Sequence, residues 1–238
     1  MILWGMIIFN LYGMPEVWII NRVSPVKQIY LITVLFVVNG LNAQYAEAGW
    51  EDRDQWMPLE ELFEMADLSK GMDVADIGCH EGYLSFHLAE HLGQLGPVYA
   101  VDVRADRIKT VEAIAEDREV NNIVPILGMY DDPRLTDGVM DRIFIVDTYH
   151  EIGDYVEYLK NLKSALKPNG KLIILEKLKT EHSEKTRQQQ AYFHTLSMDF
   201  VKRELKDAGY RIIDQRNDMG FWENNQEKII WVVVAELR

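Results

Sequence analysis

Cysteine is almost missing: of 238 residues only Cys79 is one, so neither an internal disulfide nor a cysteine-rich metal centre can form. Basic residues are outnumbered, 25 Lys and Arg against 38 Asp and Glu, which gives a formal net charge of −13. Affinity for nucleic acid comes largely from cations that neutralise phosphates, so neither DNA nor RNA is expected as a partner. A metal-binding pattern is also lacking. His87 and His91 stand four apart, as ligating histidines do, but no third ligand accompanies them, so they read as a partly solvated helix face and no metal is expected. The apolar run 29–38 falls short of the roughly 20 residues a membrane span requires.

What remains is ample for a core. A hydrophobic fraction of 48% with all three aromatic types suits one globular domain with an appendage. The chain is organised around Val74-Ala75-Asp76-Ile77-Gly78-Cys79-His80-Glu81-Gly82-Tyr83-Leu84-Ser85, followed by Val98-Tyr99-Ala100-Val101-Asp102. A short apolar run, two glycines around a polar turn and an amphipathic run read as strand, tight loop and helix. Such a loop lets a ligand approach the backbone, and the free N–H groups of the helix's first turn attract an anion. Asp102, at the end of the next strand, is placed to accept hydrogen bonds from a ribose diol.

Glycine spacing separates two cofactor classes. A dinucleotide fingerprint starting at Gly78 would need glycine at positions 80 and 83, which are His80 and Tyr83. The stretch instead resembles motif I of the class I S-adenosylmethionine-dependent methyltransferases, Asp-x-Gly-x-Gly-x-Gly, matched by Asp76, Gly78 and Gly82, with His80 in place of the middle glycine. A side chain there would crowd the loop or demand an unusual backbone angle. The resemblance implies S-adenosylmethionine as cofactor, held by Asp76, Gly78, Cys79, His80, Gly82, Asp102, Val103 and Asp131. It also implies a Rossmann-like α/β sandwich of seven strands, mostly parallel, closed by a C-terminal antiparallel hairpin.

Taken in order, the pattern fits. Pro58–Leu68 reads as a leading helix over the cofactor pocket, with Leu59, Leu62, Phe63 and Ala66 on one face. Strands are expected over 72–77, 98–102, 123–127, 141–146 and 171–176, and crossover helices over 83–92, 105–116 and 155–166. In the segment Gly128–Leu135, Asp131, or failing it Asp132, matches the acid that accepts a bond from the adenine amino group; Asp132-Pro133 also reads as ordinary turn chemistry. Lys167-Pro168-Asn169-Gly170 turns into the fifth strand, and Lys177–Gln190 reads as a charged surface helix or lid. The last strands are expected over 211–216 and 228–236, joined through Gly220–Asn225.

The fourth strand ends in Asp147-Thr148-Tyr149-His150-Glu151. Ligands of open α/β sheets lie beyond the carboxyl ends of the strands, and this stretch resembles the family's motif IV, beside the methyl group in transfer. His150 is the first choice for a general base, since its pKa ordinarily lies near neutrality. Asp147 and Glu151 would orient the base or the cofactor's ammonium, and His194 is the second candidate. A structural, hydrogen-bonded His150 is the competing reading.

Residues 1–48 read as a signal peptide or membrane anchor, with a start codon that lies too far upstream as one explanation for the apolar residues 1–20. A basic patch at Arg22 and Lys27, the apolar run and a small-residue stretch around Ala43–Ala48 have the order of an export signal. The domain at 49–238 is then expected outside the cytoplasm or at the membrane, with a cytoplasmic location as the alternative. The expected acceptor is a small molecule or a protein side chain. Two further readings compete: a non-catalytic nucleoside-binding module, and a nicotinamide oxidoreductase.

Overall fold

The computed structural model describes residues 46–238. The expected leader or anchor lies outside the described residues as far as residue 45. Among those described, no helix is long and apolar enough to cross a membrane.

Seven strands form one sheet in the order β3-β2-β1-β4-β5-β7-β6. They are β1 (Val74–Ile77), β2 (Val98–Asp102), β3 (Ile123–Leu127), β4 (Met140–Val146), β5 (Leu166–Lys179), β6 (Tyr210–Arg216) and β7 (Lys228–Leu237). The first five are parallel, and β7 inserts antiparallel between β5 and β6. The α-helices are α1 (Trp50–Asp54), α2 (Leu59–Met65), α3 (Tyr83–Leu92), α4 (Ala105–Asp117), α5 (Tyr155–Ala165), α6 (Arg187–Tyr192) and α7 (Met198–Asp207). This is the seven-stranded Rossmann-like sandwich that the family resemblance implies.

Alternation along the strands sorts the core into two layers, because successive side chains point to opposite faces. Val74, Val98, Phe144, Ile173 and Val232 pack with α2, α3 and α4, whereas Ala75, Val101, Ile143, Ile174 and Val233 pack with α5 and α7. The central strands are apolar on both sides, as a parallel sheet covered by helices on both faces requires.

Two expectations change in detail. The turn Lys167–Gly170 does not precede β5 but bulges within it: Met140 pairs with Leu166 and Arg142 with Lys171, so four residues face one. The leading helix α2 does not cover the pocket. Its end is held at the amino edge of the sheet by Arg142, whose guanidinium donates to the carbonyls of Ala66 and Asp67. Arg142 is paired with Val74, the first residue of β1, which fixes that edge. It is Trp56, just before α2, that reaches the Trp222 ring, with centroids 4.7 Å apart.

Phe144 shows how tightly the central layer is filled. It is fully buried in β4 and meets the edge of Phe63 of α2 at 6.3 Å between centroids. Replacing it by alanine removes the ring and leaves a cavity, so Phe144→Ala is expected to cost about 3–5 kcal/mol in urea unfolding. A loss below 1 kcal/mol would mean that this layer collapses freely.

Candidate active site

β1 and β4 are neighbours whose chain connections leave in opposite directions, which opens a crevice beyond their carboxyl ends. The loop after β1 forms one wall. The N–H groups of Gly78 and Cys79 both donate to the Val101 carbonyl, at 2.8 and 3.0 Å, which ties the loop to β2. Gly78, His80 and Gly82 all have left-handed backbones, with φ of 74°, 52° and 96°. His80 thus takes the conformation that a middle glycine would supply. Histidine visits this region more readily than most residues, and the position costs about 1–2 kcal/mol. Gly78 has no alternative: a Cβ there would lie 2.3 Å from Cγ2 of Thr148 in the loop after β4.

Asp102 sits where the sequence puts it. Its Oδ2 accepts the His80 N–H at 3.0 Å and its Oδ1 the Arg104 N–H at 2.9 Å. A carboxylate has about four lone-pair sites, so two bonds leave room for a diol. Val103 beside it is partly exposed. Asp76 lies deeper, 2% exposed, and accepts the Ser85 hydroxyl at 2.6 Å from the first turn of α3. It therefore braces the loop from beneath rather than lining the crevice. Burial raises its carboxyl to about 6, against the opposing bond from Ser85. Burial likewise pushes the Cys79 thiol well up, so it stays protonated. Of the adenine-side candidates, Asp131 is exposed, while the Asp132 carboxylate accepts the Arg134 N–H at 2.7 Å and is engaged in the turn.

The other wall is the end of β4. Asp147, at φ 53°, donates its N–H to Leu175 of β5 at 2.9 Å, and a single 3₁₀ turn, Tyr149–Glu151, follows. His150 is clamped by a residue that the sequence reading passed over. The Glu176 carboxylate accepts both the His150 backbone N–H at 3.0 Å and its Nδ1–H at 2.9 Å. The two side chains are 2% and 0% exposed. Burial opposes a charge on the imidazole, but the charge and hydrogen bond of Glu176, with Asp147 nearby, outweigh it and raise the pKa. Nε2 has no hydrogen-bond partner among the described residues. Glu151 Oε1 lies 3.8 Å from it and also 3.6 Å from Nδ1 of His194. His150, Glu151 and His194 therefore meet in one place, whereas Asp147 reaches His150 in a separate group with Glu176.

Lys177 was expected in a surface lid and is buried instead. Its ammonium donates to Asp147 and lies 4.5 Å from the Trp222 ring centroid. The reason is that β5 continues past Glu176, pairing Lys177 with Ile230 and Lys179 with Lys228. Nor is the following segment a loose cover. The buried Gln190 amide donates to the carbonyls of His182 and Ser183, both at 3.0 Å, and its Oε1 accepts the Ser197 N–H at 2.8 Å. His87 and His91 stay apart from all this: His87 pairs with Asp54 at 3.1 Å and His91 packs on Phe63. Glu176 had one usable signal, the end of the strand beside Asp147.

A family model described as a methyltransferase domain matches residues 68–226, well over half the chain. The chain belongs to that family. Membership implies S-adenosylmethionine as cofactor, and the two left-handed glycines, the Cβ-free contact at Gly78 and the accessible Asp102 fit it. Relatives include the demethylmenaquinone methyltransferase of Geobacillus sp. strain WCH70, 26% identical over 117 residues, or 49% of this chain and 50% of that protein. The tRNA U34 carboxymethyltransferase of Desulfotalea psychrophila is 28% identical over 129 residues, 54% of this chain and 38% of its own. The chain thus spans half or less of the length of these relatives. Among solved structures, a SAM-dependent methyltransferase from Aquifex aeolicus superposes with a TM-score of 0.65 at 24% identity, covering 77% of this chain and 90% of that one. The [4+2]-cyclase SpnF has the same fold, with a TM-score of 0.62 at 13% identity over 75% of this chain and 78% of its own.

The pKa of Asp76 has a consequence for stability. Its folded value, about 6, exceeds the ordinary 3.8, so the native state binds this proton more tightly than the unfolded state. Its contribution is complete below pH 4 and is lost as pH rises through 6, by about 3 kcal/mol in all. In urea unfolding, wild type should therefore lose ground to Asp76→Asn between pH 4.5 and 7.5. A constant difference across that range would refute a raised Asp76.

Proposed function

We propose that this domain transfers the methyl group of S-adenosylmethionine to a small-molecule or protein acceptor, with His150 facing the acceptor. The observation that carries the reading is the buried imidazole, held at Nδ1 by Glu176 and leaving Nε2 without a hydrogen-bond partner among the described residues, in the turn after β4. The cofactor supplies a sulfonium methyl already activated for in-line displacement, so the protein's task is chiefly positioning and removal of a proton. The backbone of Gly78, Cys79, His80 and Gly82 would cradle the amino-acid end. Asp102 would hold the ribose, and Val103 and Asp131 would flank the adenine. In the metal-free protein, Nε2 takes the acceptor's proton, and the imidazolium so formed is stabilised by Glu176. Asp147, charge-paired with Lys177, shapes the same end of the crevice from beneath.

Within that class a small, partly apolar acceptor is favoured. Tyr192, exposed and two residues before His194, gives a flat ring something to lie against, while Phe193 between them is stacked on His182. The net charge of −13 disfavours a polyanionic acceptor such as RNA. Quinols and other hydroxylated aromatics are the first compounds to try, in keeping with the relative named for demethylmenaquinone.

Two variants of the full chain test the reading. Asp102→Ala should weaken S-adenosylmethionine binding by about 1.5–3 kcal/mol, tenfold or more, in isothermal titration. His150→Gln should leave that affinity intact and lower kcat by about 10²–10⁴-fold, followed as S-adenosylhomocysteine release. A His150→Gln enzyme with full turnover would remove His150 from the chemistry, and undiminished binding by Asp102→Ala would remove Asp102 from the site.

A further inference from the structure

We infer that His150 Nε2, Glu151 and His194 Nδ1 form a site for one divalent first-row transition-metal ion. The three donor atoms all lie within 4.8 Å of one another. The carboxylate stands between the two rings, at 3.8 Å from one nitrogen and 3.6 Å from the other. Around a tetrahedral ion, donor atoms lie about 3.4 Å apart, given bonds of roughly 2.1 Å. Closing the remaining gap asks little, because Glu151 and His194 are more than half exposed and free to turn.

The decisive group is His150. Its side chain is 2% exposed, and Nε2 is buried without a hydrogen-bond partner among the described residues, although it points at Glu151. A buried nitrogen left in that state is costly. The hydrogen bond from Nδ1–H to Glu176 sets the tautomer and leaves the Nε2 lone pair facing Glu151, the carboxylate–histidine arrangement found behind many metal-ligating histidines. The set of two imidazoles and one carboxylate suits zinc, cobalt, iron or manganese better than magnesium or calcium, which prefer oxygen.

A second grouping, Asp147, His150 and Glu176, is equally compact. It is not the site, because the Lys177 ammonium already occupies Asp147 and the Nδ1–H lies between His150 and Glu176.

Three protein ligands leave one or more coordination positions open. A hydroxyl oxygen of the acceptor fits there, so the substrate class is a hydroxylated compound able to coordinate. Its proton passes to solvent on coordination; the O–CH3 bond then forms as the S–CH3 bond breaks, with the electron pair remaining on sulfur. This consequence rests on the methyl-transfer reading above, whereas the binding of the ion does not.

The test uses the full chain stripped of metal. Titration with Co²⁺, read by its visible absorption, and equilibrium dialysis with Zn²⁺ should each show one bound ion. Glu151→Gln and His194→Ala, both surface changes that leave the core intact, should weaken binding tenfold or more, and His91→Ala should not. Absence of binding to folded wild type, or binding that ignores both substitutions, overturns the inference. Isothermal titration of S-adenosylmethionine on the same samples separates the two readings. Cofactor binding and His150-dependent turnover that survive chelation, in a protein that takes up no Co²⁺ or Zn²⁺, would leave methyl transfer standing and the metal site refuted. Metal binding without cofactor binding would do the reverse.

Discussion

The contact on which the site depends is the one between Gly78 and Thr148. The loop after β1 and the loop after β4 come so close that a Cβ on Gly78 would overlap the threonine side chain. Because β1 and β4 are adjacent parallel strands, with Ile77 level with Ile145, their ends cannot separate without breaking the ladder. The wall that would hold the cofactor and the wall that carries His150 are thereby fixed to each other. A reaction that depends on near-attack geometry needs that rigidity more than it needs any single polar group.

The same junction explains why so much charge is buried there. Lys177 with Asp147 and His150 with Glu176 are two pairs whose side chains are at most 6% exposed. Buried pairs of this kind contribute little net stability, since desolvation offsets most of the attraction, but losing one partner strands the other. Their value is positional. Both acceptor–donor links run between β4 or its following turn and the end of β5, so they lock the motif IV turn onto the next strand. The left-handed backbones of Asp147 and His194 fall in the same place, which is where a fold tolerates strain when a site requires it.

Much of this was legible in the residues. The glycine loop, Asp102 and the helices α3 and α5 follow from local signals, namely a short apolar run, turn chemistry and a 3.6-residue period, whereas the antiparallel closing hairpin follows from the family resemblance. His150 was found because it follows a strand end. Glu176 and Lys177 were missed because their partners, His150 and Asp147, are not local. A charged residue after a strand reads as the start of a solvent-exposed segment, and only the β5–β7 ladder, which runs three residues past Glu176, shows that it is not. Arg53 and Trp56 were passed over for a similar reason: their partners, the Tyr83 and Trp222 rings, come from opposite ends of the domain. Periodicity finds the face of an element, whereas the pairing of distant edges is a property of the sheet.

His80 carries the argument one step further. In place of a glycine, the chain keeps a side chain at φ 52° and anchors its N–H on Asp102. The loop therefore has its shape before any ligand arrives, and the ribose-side carboxylate is held by the strand–loop unit it would serve. A loop built this way gives up the freedom of glycine for a preset cradle, which lowers the entropy lost on binding. The fold by itself does not set the reaction, since a cyclase shares it. The chemistry placed on that rigid frame is an imidazole fixed at one nitrogen, without a hydrogen-bond partner among the described residues at the other, and met there by a second histidine and a carboxylate.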